Sequence, residues 1–259
     1  FQFEGSKRGA ITLRARPNHG RWEINELSTI TDMGTLTMRG QWEPGLKSNV
    51  EYDVEFNIQD VGRYLFSLEG KENMVGGVGR LSGSVNWEGS PFSIDLDTLD
   101  GELSIEVKDG RFSKINPGAG HIISLLSLQA LPRRITLDFR DVFSSGFSFD
   151  RIESEVFVTN GVARTDKLLM DGTSASVAIS GNVDLVRKDH DIEVFVTPKL
   201  GSAASVAAGA VAVNPAIGLA AFLAQKLLGN PFDKIATRHY RVRGDWGNPE
   251  VTRVHWGDE

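Results

Sequence analysis

The sequence predicts a mainly β fold: a long, curved antiparallel sheet with one apolar face, interrupted by short helices and by an apolar helical hairpin near the C-terminus. Three observations predict it. Apolar and polar residues alternate along most of the chain, and a period of two sends successive strand side chains to opposite faces. Asp109-Gly110, Asn160-Gly161 and Asp171-Gly172 separate the runs with residues suited to the positive φ angles of tight hairpins. Crossover helices and continuous apolar runs, the marks of a parallel sheet, do not recur between the runs.

The clearest strand is Val50-Glu51-Tyr52-Asp53-Val54-Glu55-Phe56-Asn57-Ile58, apolar at every even position. The same alternation predicts strands at Ile11–Leu13, Thr35–Met38, Phe92–Asp97, Leu103–Lys108 and Ile135–Phe139. It returns at Val177–Ser180, Ile192–Val196 and Tyr240–Arg243. An apolar–x–Gly–x echo recurs around Gly40, Gly83, Gly181 and Gly244. Glycines inside strands let a sheet bend sharply, so they predict the curvature.

Three stretches depart from the β period. Residues 60–68 predict a short helix capped by Asp60, with Val61, Tyr64, Leu65 and Leu68 on one face. Residues 118–131 predict a second, closed by Pro132. Leu200 to Gln225 holds 26 residues without a charge, nominally enough to cross a bilayer, which takes roughly 20 apolar residues. Asn214-Pro215 splits it, because proline removes a helix hydrogen bond and disfavours helix in its predecessor. The expectation is a helical hairpin within about 200–230, either a buried cap on the sheet or a membrane-dipping element.

Composition narrows the function. The 259 residues carry a net charge of −6 and no concentrated basic face, which argues against nucleic acid as a partner. With no cysteine, thiolate nucleophiles, disulfides and Cys-based metal sites are excluded. The five histidines (His19, His121, His190, His239 and His255) are scattered without metal-ligand spacing. His190 reads as part of a hairpin turn, Lys188-Asp189-His190-Asp191. Asp95 to Gly101 lacks the bidentate Glu of a calcium loop, and Gly77 to Gly83 leads into a strand where a dinucleotide fingerprint needs a helix. No G-x-S-x-G elbow is present. The reading is a non-catalytic protein with no cofactor and no metal. The chain begins at Phe1 without a signal-peptide pattern, so it is expected to be part of a longer protein.

Specific wording then carries a resemblance. Asp60-Val61-Gly62-Arg63-Tyr64-Leu65, Gly79 to Trp87, Asp109-Gly110-Arg111-Phe112, Pro117 to Gly120 and Leu125 to Arg134 resemble the C-terminal region of AsmA-like envelope proteins. The similarity is to their YhdP branch in Gram-negative bacteria, and it extends through Leu137 to Asp150 and Pro198 to Pro231. It implies one β module over residues 1–259, folded into a taco-like groove that conducts phospholipid between the inner and outer membranes. It also implies a periplasmic location, an inner-membrane anchor elsewhere in the parent protein, and a position near the outer membrane for this segment.

Pattern alone leaves open whether the apolar strand faces are ordinary core or lipid wall; the resemblance implies a wall. The candidate lining residues are Tyr52, Val54, Phe56, Ile58, Ile94, Leu96, Ile105, Val107, Leu137, Phe139, Val194 and Val196. In the hairpin, Val206, Val211, Val213, Ile217, Leu219, Phe222 and Leu223 are the candidates for bilayer contact. The expected partners are phospholipid, the outer-membrane surface and other envelope proteins. The alternative is a structural β domain that binds another envelope protein.

Overall fold

The computed structural model describes residues 2–3, 6–7, 9–46, 48–113, 146–199, 237–247 and 249–254. A small ribbon, β1 (Gln2–Phe3) with β2 (Ser6–Lys7), precedes the main sheet. That sheet has 12 strands, all antiparallel to their neighbours. Its first half contains β3 (Ala10–Asn18), β4 (Arg21–Ile30), β5 (Gly34–Glu43), β6 (Asn49–Ile58), β7 (Met74–Glu88) and β8 (Asp100–Phe112). The second contains β9 (Phe147–Thr159), β10 (Val162–Gly172), β11 (Ala175–Asp184), β12 (Asp189–Pro198), β13 (Arg238–Asp245) and β14 (Glu250–Val254). Spatial order follows chain order throughout, with β3 and β14 at the edges, so the sheet is an open, curved meander.

Glycine shapes the bend where the sequence echo places it. Gly83 (φ 153°) and Gly181 (φ 130°) lie in the left-handed region. A Cβ on either would collide with a neighbouring strand's carbonyl oxygen, that of Glu102 or Asp191. Bulges in β4, between Ile24 and Leu27, and in β10, between Thr165 and Leu168, add to the curvature.

The two ends of the strands differ. At the hairpin end, β9 and β10 meet through Asn160-Gly161, both at positive φ (47° and 73°). Residues 19–20, 44–46, 89–99, 185–188 and 246–247 also turn there. The helix end carries α1 (Val61–Glu69) between β6 and β7. The connections 113–146 and 199–237 leave and rejoin the sheet at that same end.

Helix α1 forms as its sequence predicts. Asp60 takes extended backbone and its carboxylate accepts from Arg63 N–H at 2.9 Å, while Gly70 closes the helix at φ 68°. Val61 is buried and Tyr64 packs edge-on against Phe56, with ring centroids 5.0 Å apart. The helix therefore lies on the apolar side of the sheet. Leu68 does not share that face; it is exposed.

Three local expectations are corrected. Phe92–Asp97 alternates but is a loop, because Pro91 and Gly89 (φ 114°) precede it and no strand pairs with it. Local bonds hold it instead: Trp87 Nε1 donates to Ser90 O, and Leu99 N–H to Leu96 O. Asp109-Gly110 lies inside β8, where its positive φ (55° at Asp109) faces Gly76 and Gly77, also at positive φ, without a register slip. His190 is not in a turn. The turn falls at residues 185–188, where the Asp184 carboxylate accepts from Val186 N–H (3.0 Å) and Arg187 N–H (2.7 Å), leaving His190 buried in β12. The expected helix at 118–131, the hairpin at about 200–230 and the strand at Ile135–Phe139 lie outside the described residues.

Candidate functional site: a continuous apolar face

Directly opposed residues of an antiparallel pair point to the same side of the sheet, so the register resolves the apolar face into cross-strand rows. One row runs Ile11, Thr29, Leu36, Phe56, Leu81, Ile105, Ser154, Leu168, Ile179, Val194, Tyr240. A parallel row nearer the helix end runs Ile58, Gly79, Val107, Ile152, Met170, Val177, Val196. On the hairpin side, Val54 is flanked by Met38 and Gly83, and Tyr52 by Gly40 and Val85. The face turns polar at its last strands, where Arg238 opposes Val196 and Arg253 opposes Tyr240.

The opposite side is charged. Glu55 meets Arg80 at 3.1 Å, Glu106 meets Lys108 at 2.8 Å, and Asp191 holds both Arg241 (2.8 Å) and Arg243 (3.1 Å). These arginines hold the Asp191 carboxyl down to about 2, the Arg241 hydrogen bonds being the larger cause.

Burial along the apolar face is uneven. From β9 onward Ile152, Met170, Val177, Ile179, Val194 and Val196 are buried. From β5 to β8 Leu36, Met38, Val54, Phe56, Leu81, Leu103, Ile105 and Val107 are only half-buried, and at the β3 edge Ile11 and Leu13 are 52% and 50% exposed. Burying such a side chain fully is worth about 1.5–3 kcal/mol, so this half of the face leaves part of that stabilisation unused. An apolar ligand could supply it.

The structure brings eight of the candidate lining residues onto this face. Val54, Phe56, Ile58, Ile105 and Val107 are half-buried; Tyr52, Val194 and Val196 are buried. Ile94 and Leu96 are not among them: they stand exposed in the 89–99 loop. Leu137, Phe139 and the seven candidates for bilayer contact, Val206 to Leu223, lie outside the described residues. Sequence reading missed Leu36, Met38, Leu81 and Leu103, although each belongs to a period-two run. Among the described residues no helix is long and apolar enough to cross a membrane. No group of three or more His, Asp or Glu side chains among them could hold a metal ion.

A twelve-stranded meander with one largely apolar face, half-buried from β5 to β8 and polar at its last strands, defines a class of open single-sheet proteins that present an extended apolar surface. Within that class the chain belongs to the YhdP protein family, whose model matches residues 1–251. It is 39% identical over 171 residues to the intermembrane phospholipid transporter YhdP of Escherichia coli (strain K12), a match covering 66% of this chain and 13% of that relative. No solved structure matches the chain.

Proposed function

We propose that the apolar face is the wall of a groove that shields phospholipid acyl chains in transit between the inner and outer membranes, without catalysis. The carrying observation is that the face is largely apolar from β5 to β12 while Val54, Phe56, Ile105 and Val107 stay partly uncovered. The relative's printed role as an intermembrane phospholipid transporter supports the same substrate. In this reading residues 1–259 form one module, set in the periplasm near the outer membrane, with the parent protein anchored in the inner membrane. The lining comprises Tyr52, Val54, Phe56, Ile58, Ile105, Val107, Val194 and Val196; Leu137, Phe139 and the seven candidates for bilayer contact lie outside the described residues.

The energetics favour a continuous wall over a tight pocket. A diacyl lipid carries on the order of 30 methylenes at about 0.8 kcal/mol each, so crossing water unshielded costs roughly 20 kcal/mol or more. A wall that offers similar apolar contact in every row removes most of that cost without trapping the lipid at one place.

Val54→Asp in the full-length protein is expected to reduce phospholipid transfer on the order of tenfold or more, because it sets a charge in the apolar row. Glu55→Gln, one residue along on the charged side, is expected to leave transfer unchanged. Circular dichroism checks whether both variants fold, and a folded, fully active Val54→Asp would remove the wall from that position. The second reading, a platform for another envelope protein, draws on the burial of Tyr52, Val194 and Val196. Native mass spectrometry separates the two, since a sealed face carries no phospholipid.

A further inference from the structure

The two ends of the apolar face differ in chemistry. Its outermost row at the hairpin end is aromatic: Trp22 opposes Trp42, Trp42 opposes Val50, and Val50 opposes Trp87. The indole N–H of Trp42 donates to Ser48 Oγ (2.9 Å) and Gly89 O (3.1 Å), and that of Trp87 to Ser90 O (3.0 Å). Each ring thus presents its apolar body to the face and its polar edge to the loops, the arrangement tryptophan adopts where apolar and wet regions meet.

One row further in stand Tyr52 and His190, joined through Val85, Gly101, Val158, Ala163 and Val183. They are only 2% and 5% exposed, and neither the Tyr52 hydroxyl nor His190 Nδ1 has a hydrogen-bond partner. Polar atoms desolvated without a partner are disfavoured, so two on one row of an apolar face point to a ligand that supplies oxygen or N–H groups there. Up to β12 the helix-end row offers none: Ile58, Val107, Ile152, Val177 and Val196 carry no side-chain polar atom and Met170 only a thioether, and Arg238 opposes Val196 only at β13. On the row between, the Ser154 hydroxyl is taken up by Thr165 Oγ1 at 2.9 Å, and the other polar side chains, Thr29 and Tyr240, stand toward its two ends.

From this asymmetry we infer that lipid lies across the sheet in one orientation, its glycerol–phosphate end along the Trp42–Tyr52–Trp87–His190 side and its chain termini toward helix α1. Tyr52 and His190 are polar stations that the headgroup region passes as the lipid slides from strand to strand. Tyr52 donates to an ester or phosphate oxygen. Burial lowers the His190 pKa, against the opposing pull of Asp189, Asp191 and Asp245, so at neutral pH it acts as an uncharged hydrogen-bonding group and not as a counter-ion.

The inference rests on the acyl-chain reading above, and two photoreactive phosphatidylethanolamines test it in the full-length protein. One carries a diazirine in the headgroup, the other at the acyl terminus. Mass spectrometry is expected to place headgroup labels around Trp42, Tyr52, Trp87 and His190 and tail labels around Ile58, Val107 and Met170. Equal or reversed labelling overturns the orientation, whereas a protein labelled by neither probe overturns the lipid reading itself. Tyr52→Phe removes one oxygen and keeps the ring against Trp87, 5.7 Å away. It is expected to weaken phosphatidylethanolamine retention about two- to tenfold relative to hexadecane, the range of one net hydrogen bond. An unchanged ratio removes Tyr52 as a station.

Discussion

Two neighbouring residues of β12 respond to acid for opposite reasons. Asp191 is charged on the polar side, and its pKa falls from 3.8 to about 2 beside Arg241 and Arg243. Its contribution to stability is therefore complete above pH 3.8 and disappears as pH falls toward 2. Because both partners are well exposed, Asp191→Asn is expected to cost less than about 1 kcal/mol at pH 7, with the difference from wild type gone by pH 2 in urea titrations. His190 is buried on the apolar side, and folding favours its neutral form. Its pKa is lowered by folding, so stability is full above its ordinary 6.5 and declines as pH drops below that value. Between pH 7 and 5 wild type is expected to lose more stability than His190→Phe in the same titration. The sequence disguised this histidine, because Lys188, Asp189 and Asp191 around it read as turn chemistry. What moved the turn was Asp184, whose side chain caps two backbone N–H groups, a local competition that residue types alone do not reveal.

At the level of elements, legibility followed the availability of partners. Helix α1 was readable because its determinants are local: an Asp60 cap, a Gly70 stop and an apolar side. Asp60→Ala is expected to cost about 1 kcal/mol and to loosen Tyr64 from Phe56, seen as a lower melting temperature. A strand is not local. Residues 50–58 and 92–97 alternate equally well, yet only the first has a ladder on both sides. Phe92–Asp97 follows a proline and a positive-φ glycine, and the N–H groups of Phe92, Ser93 and Asp97 bond within the loop. The glycine echo, by contrast, marked real bends. Gly83→Ala is expected to destabilise the protein by about 1–3 kcal/mol, since its Cβ would meet the Glu102 carbonyl on the neighbouring strand. Gly244→Ala probes a glycine with open space around it and should cost less in the same denaturant melts.

Across the whole molecule, the period-two pattern gave away the apolar face but not its uneven cover. That depends on how tightly the sheet bends and on what lies over each strand, and neither is written in alternation. The buried rows of β9–β12 and the open rows nearer β3 predict a gradient in amide hydrogen exchange: slowest in β10 and β11, fastest in β3. Every strand of the main sheet pairs only with its neighbours in the chain. Assembly therefore needs no distant segment to arrive: each new hairpin can dock on the one before it as the polypeptide emerges. Tension applied to the two ends should likewise peel the sheet strand by strand, in a sawtooth of small force steps and not one cooperative rupture.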